Sequence, residues 1–554
     1  MILISSGFYF PQINTSSKEI NNSLTNNIDY LIITKRSFSN YLEPLALWKT
    51  QKGLLSEIEA IEDIEAQFTG FDTAEKIRNC IKQYYNERNT KWVVLAGGET
   101  VVPSRTVLVE NALVCSDYYY SNLDENWLVN SEGIATLIDV FDWEAEVYVG
   151  RLPADTINQM KYLVTRILNY EKNPPVGSWM THALFGGTFA NFNTDSNGNN
   201  IFDEDDNIAF DTNRNHNWLK TNSLPDDWTS TLLAEREGLI VTNYSYDGAL
   251  NTASFISEVN TGAGIIMVDS HGSPYGMTRT VFTEDVDEDG LFDYNVDSIE
   301  SRSFLSTSSK FNTNGKNGFY WLAACSTGTF TDGTCLSEYL VRNCAIGCIA
   351  SYESAYYDPF WYGGDHLGWY TQGLSSRFWE QLLIQGYNQP GKAFSLAKMD
   401  YVSDHFALGG IDTEGITLTQ YNLMGDPEIP IWIEIPDAIE PEVVLNEETG
   451  IVAVTAIANG LAISNVTVSL TSDTSYYCVV TNESGKVELE LPNLGQNEEI
   501  ILTLSKNNLL PYQSVLKSNN NKNTILLLSV IYTPIVISFI IIIIVAIRLR
   551  ITRK

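Results

Sequence analysis

Cysteine is scarce: the chain has seven in 554 residues, at positions 80, 115, 325, 335, 344, 348 and 478. An odd number leaves at least one thiol outside any pairing, and a chain this long builds cores that need no disulfide framework. There is no zinc pattern. Cys344 and Cys348 have no second pair at matching distance and read as small buried apolar residues. Basic residues are also few. Lys and Arg number 34 against 68 Asp and Glu, a net charge of −34. A field of that sign repels a phosphate backbone, which excludes nucleic acid as a partner. The N-terminus, MILISSGFYFPQ, lacks the basic start, long apolar run and small-residue cleavage site of a secretory leader. Export then relies on an atypical leader, on a missing one, or on a later segment as the insertion signal.

Apolar and aromatic residues are plentiful: 44 % of the chain is hydrophobic, with 29 Tyr, 23 Phe and 12 Trp. That composition folds around sizeable cores. At roughly 150 residues per domain the length implies three or four units. Residues 1–27 read as a leader or disordered segment, rich in Asn and Ser. Apolar strands (YLIIT at 30–34, WVVLA at 92–96) then alternate with helical stretches (41–51, 73–85, 157–171) through residue 178. A second such unit, with strands near 182–185, 264–268, 318–323 and 347–350, runs over 179–434. Strands alternating with helices predict a parallel sheet, buried on both faces, with functional residues at the carboxyl ends of its strands. From 437 to 517 the pattern becomes period-two with turn signals every few residues, which predicts an immunoglobulin-like β-sandwich. Thr524 to Ile547 carry no charge, long enough to span a bilayer as a helix, and Arg548, Arg550, Arg553 and Lys554 follow. The expectation is a single-pass protein of the cell membrane, its bulk outside and residues 548–554 as a cytoplasmic tail.

Two strand ends carry candidate chemistry. In GIIMVDSHGSPYG, His271-Gly272 follow an apolar strand; in GFYWLAACSTGTF, Cys325 follows another. A thiol needs a base to become a nucleophilic thiolate near neutral pH, and an imidazole titrates in that range. Adjacent parallel strands would place both side chains at one sheet edge. The backbone N–H groups of Gly272 and Cys325 could there bind the oxyanion that develops on a scissile carbonyl.

Several blocks resemble the gingipain family of cysteine peptidases, in the caspase-like clan. YLIITKRSFSNYLEPLALWKTQKG, WVVLAGGETVVPSR, SDYYYSNLDENW, EVYVGRLPA and QYNLMGDPEIPI occur in family order from about residue 28 to 433, around the His-Gly and Ala-Cys segments. The resemblance implies a caspase-like α/β catalytic unit with two subdomains. It also implies endopeptidase action on proteins or peptides through a Cys–His dyad and a thioester, with Cys325 as nucleophile and His271 as base and acid. An S1 wall is implied in IASYESAYYDPFW, with Tyr357 the best match and Tyr356 its near alternative. One departure stands out. Family members carry an acidic residue near the end of the strand that here reads ALFGGTFANF, where it orients the histidine; no Asp or Glu occurs there. Either another carboxylate substitutes or a dyad suffices. Candidates for an acidic S1 residue fall between Asp203 and Asp211.

Two acidic runs have the alternation of calcium loops. Asp285, Asp287, Asp289, Gly290 and Asp293 take positions 1, 3, 5, 6 and 9 of one; Val296 stands at position 12, with Asp297 next. Asn193, Asp195, Asn197, Gly198 and Glu204 take positions 1, 3, 5, 6 and 12 of the other. Calcium is therefore the expected cofactor, holding the active-site rim, and no organic cofactor is expected. The sequence supports a calcium-stabilised cell-surface endopeptidase. A transpeptidase that processes exported proteins, as sortases do, and a non-catalytic adhesin on a peptidase scaffold are the alternatives.

Overall fold

A computed structural model of the protein describes residues 27–136, 143–194, 208–293, 296–358, 368–406, 412–446, 449–472, 475–491, 499–519 and 524–529. The short apolar runs of the sequence form one central sheet. Its strands, in chain order, are β1 (Tyr30–Thr34), β2 (Ser56–Ala60), β3 (Trp92–Ala96), β4 (Tyr148–Leu152), β5 (His182–Gly187), β6 (Thr229–Ala234), β7 (Gly248–Ala249), β8 (Ile265–Asp269), β9 (Phe319–Ala323), β10 (Gly347–Ser351) and β11 (Tyr421–Gly425). They lie in the order β7-β6-β5-β8-β9-β10-β11-β4-β3-β1-β2. Every residue of β1, β3, β8, β9 and β10 is buried. Helices therefore cover both faces, and continuous apolar runs rather than alternating ones are what such strands require.

The two segments expected as separate subdomains share this sheet, joined through β11. That strand runs antiparallel to β10, with Ser351 opposite Tyr421 and Gly347 opposite Gly425. It therefore starts at the carboxyl edge of β10 and ends at its amino edge, where it meets β4 at Met424 and Arg151. Helix α1 (Arg36–Gln51) begins earlier than its apolar pattern suggests and holds Pro44 within it. Helix α2 (Ile157–Lys172) opens on a capping box from Thr156 and Gln159.

Four of the family-like blocks meet in a buried polar joint. Arg151 grips Asp117 through Nε (2.7 Å) and Nη2 (2.6 Å), and its Nη1 donates to the carbonyls of Gly97 and Val102. The Asp117 amide donates to Asn422 Oδ1 at 2.8 Å. The charge and every nitrogen of the Arg151 head are matched, which a buried ion pair needs in order to be tolerated.

Residues from Asp437 onward form the expected sandwich. One sheet has the strands Glu442–Asn446, Ile451–Thr455 and Lys486–Glu490; the other is built on Tyr476–Val480, Thr467–Thr471, Glu499–Ser505 and Tyr512–Asn519. Alternate residues such as Val452, Val454, Val468, Leu470, Leu502 and Leu504 fill its core. The sandwich docks on the end of α1. Ser469 Oγ donates to the Gln51 carbonyl, Ser505 Oγ to that of Lys52, and a Cβ on Gly53 (φ +103°) would come 2.5 Å from Thr467 Cγ2.

The expected membrane helix is corrected at its start. Thr524–Ser529 is a strand, paired antiparallel with Tyr512–Asn519 at the edge of the sandwich. An unbroken aliphatic run carries no period, so it fits a strand as well as a helix. The rest of the run to Ile547, the basic tail and the N-terminal residues 1–26 lie outside the described residues. Among the described residues no helix is long and apolar enough to cross a membrane.

Candidate active site at the carboxyl edge of the sheet

β8 and β9 are adjacent and parallel, in a register that sets Asp269 opposite Ala323. Ser270 N–H adds one more bond to the Ala323 carbonyl. His271 and Cys325 each stand two residues beyond that last pair, so the two expected residues share one edge. Gly272 fits between them and the next loop: a Cβ there would come 2.5 Å from the Cys325 carbonyl oxygen and 2.9 Å from Thr327 Cγ2. Only glycine allows this approach. After Cys325 the chain turns sharply, with Ser326 at φ +58°. The Ser326 amide donates to the Glu353 carbonyl and the Gly328 amide to that of Ser351, which clamps the turn to the segment leaving β10.

The Cys325 thiol is half-buried and free. Its sulfur accepts a hydrogen bond from the Ala355 amide at 3.3 Å, and the thiol faces the Ala355 carbonyl at 3.9 Å. The segment expected to wall a substrate pocket is thus tied directly to the sulfur. Within that segment Tyr357 stacks on Phe210 at 4.8 Å, and its hydroxyl donates to Asn191 Oδ1 at 3.1 Å. Tyr356 turns the other way, against Tyr370 at 6.0 Å, and is more exposed. Tyr357 is the one on the histidine side.

His271 opens a short strand, His271–Ser273, which pairs with Gly276–Glu284; that strand in turn pairs with Ser298–Ser306 to form a long ribbon. The imidazole keeps an accessible face, but the protein packed around it strips water from the charged form and holds its pKa below the ordinary value. The nearby Ala190 carbonyl, which favours the charged ring, opposes that shift. Ala190 lies in ALFGGTFANF, the segment that lacks the family's acidic residue. That segment brings a backbone carbonyl, and no carboxylate, toward the ring. Nothing in the sequence could signal it, because a carbonyl is present at every position.

Beneath the pair lies a buried polar layer that sequence reasoning missed. Burial pushes the Asp269 carboxyl up to about 8, against the Gln372 amide that donates to its Oδ2. His216, stacked on Phe185, is pushed down to about 3 by the same cause. Asp211, the described member of the acidic S1 candidates, has both oxygens engaged, by Asn213 and by Thr242 Oγ1.

Of the two calcium-like runs, the first forms a compact loop at the far tip of the ribbon. Carboxylate oxygens of Asp285, Asp287 and Asp289 lie within 4.8 Å of one another, as do those of Asp287, Asp293 and Asp297. Asp297, rather than Val296, closes the loop, accepting from the Val286 and Asp293 amides. Gly290, at φ +83°, makes the sharp turn. Of the second run only Asn193 is described, and its Oδ1 accepts from the Ala209 amide at 2.7 Å; Asp195, Asn197 and Glu204 lie outside the described residues. A third acidic group, Glu171, Asp426 and Glu428, already surrounds the ammonium of Lys49.

The model of peptidase family C25 matches residues 23–432, most of the chain and all of the central sheet. The chain belongs to peptidase family C25, a gingipain-type cysteine peptidase family. Gingipain R2 of Porphyromonas gingivalis (strain ATCC BAA-308 / W83) is 24 % identical over 157 residues, 28 % of this chain and 18 % of that protein. Gingipain R1 of P. gingivalis is 24 % identical over the same length, 14 % of that protein. The chain thus spans less than a fifth of the curated relatives it matches. Among solved structures, the complex of P. gingivalis RgpB pro- and mature domains superposes with a TM-score of 0.63 at 17 % identity, over 88 % of this chain and 99 % of that one. The Arg-specific cysteine proteinase gingipain R gives 0.62 at 18 %, over 89 % and 98 %. These structural matches establish a shared fold.

Proposed function

We propose that this C25 chain is an endopeptidase that cleaves peptide bonds through Cys325 and His271. The observation that carries this is the shared position of the two residues, each two places past the Asp269–Ala323 pair on adjacent parallel strands. His271, whose pKa lies below the ordinary value, takes the thiol proton near neutral pH. The thiolate attacks the scissile carbonyl, and the developing oxyanion is met by the backbone N–H groups of Gly272 and Cys325. Collapse releases the amine, protonated by His271, and leaves a thioester on Cys325 that water hydrolyses. Tyr357, braced by Phe210 and Asn191, forms the wall of the pocket for the residue before the cleaved bond.

Calcium at the ribbon tip supports the same site at a distance. Phe292, in the acidic loop, packs with Phe282 of the ribbon and with Phe189 and Phe192, which flank Ala190; the Phe292 amide also donates to the Asn193 carbonyl. A cation drawing Asp285, Asp287, Asp289 and Asp293 together would hold Phe292, and through it the carbonyl near His271. The apolar run to Ile547 and the basic residues after it support attachment of the C-terminal end to a cell membrane, with the catalytic unit outside. Retention in the pellet after carbonate extraction checks that attachment.

The deciding experiment is cleavage of a fluorogenic peptide library varied at the residue before the scissile bond, in calcium and in EGTA. Turnover is expected, with labelling of Cys325 by a thiol-reactive peptide probe. Chelation is expected to lower both the melting temperature and kcat. No turnover and no selective labelling by a folded protein would favour the adhesin reading, and indifference to EGTA would remove calcium from the account.

A further inference from the structure

Helix α3 (Pro390–Phe406) carries a lysine that the proposed chemistry does not use. Lys398 is buried, 2 % exposed. Its ammonium has two aromatic neighbours, the Tyr118 ring at 4.4 Å and the Phe394 ring at 4.5 Å. Among the described residues no hydrogen bond or ion pair engages it. Among the described residues, the seven other buried lysines and arginines, Lys49, Arg78, Arg105, Arg151, Arg166, Arg279 and Arg377, all have carboxylate or carbonyl partners.

Lys398 lines a recess of about 20 Å³ between α3 and the sheet, together with Asp117, Tyr118, Ser121, Phe394 and Tyr421. Asp117 brings no net charge to it, since Arg151 holds both of its oxygens. Ser121 is buried as well and lines the recess, and among the described residues its hydroxyl has no hydrogen-bond acceptor. A space of this size admits a water or a group little larger. An ammonium kept from water without a counter-charge is costly, and an apolar side chain of similar length would fill the site at less cost.

We propose that this recess binds a small monovalent anion, a halide or a single carboxylate head, between the Lys398 ammonium and the Ser121 hydroxyl. Anions larger than these do not fit the volume. The site lies against β11, two strands from β9 and Cys325, and its wall residue Tyr421 stacks on Trp321 at 5.4 Å. Its occupancy therefore stabilises the packing beneath the carboxyl edge without touching substrate. With the recess empty, burial pulls the lysine down to about 7. An anion binds only the charged form, so it raises that pKa, and its affinity falls about tenfold per pH unit above neutrality.

The test is thermal unfolding of the full chain at fixed ionic strength and fixed calcium. Sodium gluconate, too large for the recess, is replaced stepwise by chloride or by formate at pH 6, 7 and 8.5. A saturable rise in melting temperature is expected at pH 6 and 7, much weaker at pH 8.5. Saturation by chloride alone assigns a halide; saturation by formate at lower concentration assigns a carboxylate. Lys398→Met is expected to fold, with a melting temperature in gluconate no lower than that of the parent, and to lose the response. Ser121→Ala keeps the lysine and is expected to weaken the response several-fold, which decides the matter if the methionine variant fails to fold. Equal melting temperatures in all three anions would overturn the proposal and leave water in the recess. So would a chloride response that survives in both variants.

Discussion

Cys325→Ala is expected to lower kcat/KM for peptide cleavage by at least about 10⁴-fold while leaving the fold intact, because it removes the only group that can form the thioester. The half-buried sulfur makes only weak contacts, with the Ala355 amide and carbonyl, so its loss should change stability by about 1 kcal/mol or less. His271→Ala is expected to cost about 10³-fold or more, and the double variant no more than Cys325→Ala alone, since two groups serving one proton transfer are not additive. The parent enzyme adds a pH signature. Burial holds His271 below its ordinary value. The base form then persists to lower pH, and the acid limb of kcat/KM should fall below about 6.5, the value of a free histidine. Steady-state kinetics on a fluorogenic peptide, with circular dichroism as the fold control, measures all of this. An alanine variant at 325 that retained most of the activity would remove the thiol from the mechanism.

What could be read from the sequence follows from where each signal resides. YLIIT and WVVLA declare themselves because strands buried on both faces need unbroken apolar runs, and both fall where the alternation places them. β6, TSTLLA, is half polar and nearly at the sheet edge, and β11, YNLMG, mixes amide and apolar residues between helices. Neither has a strand period, so neither was legible, and without β11 the joining of the two halves into one sheet could not be foreseen. The ribbon strands Gly276–Glu284 and Ser298–Ser306 are largely polar and flank the acidic loop, so in the sequence they merge with it as one insertion. Cys325 and His271 were visible because chemistry-bearing side chains followed apolar strands and a glycine. The backbone groups that approach them, the Ala190 carbonyl and the Ala355 amide, come into range only through folding. The family blocks were legible as a pattern. Their physical sense appears only in the structure, where Arg151, Asp117, Gly97 and Asn422 turn out to be one buried joint.

Lys49→Met should be the most destabilising single change outside the catalytic edge. The Lys49 side chain is fully buried, and its ammonium lies 2.7 Å from Glu171 and 2.6 Å from both Asp426 and Glu428. Lys52 joins the group at 2.6 Å from Glu171 and 2.5 Å from Glu428. Three carboxylates thus share two ammonium groups at the end of β11 opposite Cys325, where α1, α2 and the sandwich converge. Glu171, with both lysines on it, is held well below the ordinary carboxylate range despite burial. Glu428 has the same partners but is raised by burial and by its acidic neighbours. The cluster has one more acid than base, so it titrates as a unit and the excess charge settles on one member. Removing Lys49 leaves three buried carboxylates facing one ammonium, at a cost of about 3–5 kcal/mol. Asp426→Asn in the same chain restores the net charge of the group and should recover part of the loss, a coupling that a double-mutant cycle isolates. The pH dependence has a definite sign. The depressed carboxyl of Glu171 stabilises the parent above about pH 4.3 and loses that effect as pH falls through its folded value. In the methionine variant the remaining carboxyls rise toward neutral pH and become protonated. The gap in melting temperature should therefore be widest near pH 7 and narrow steadily toward pH 4. A gap that stayed constant with pH would trace the loss to packing at α1 instead of to unmatched charge.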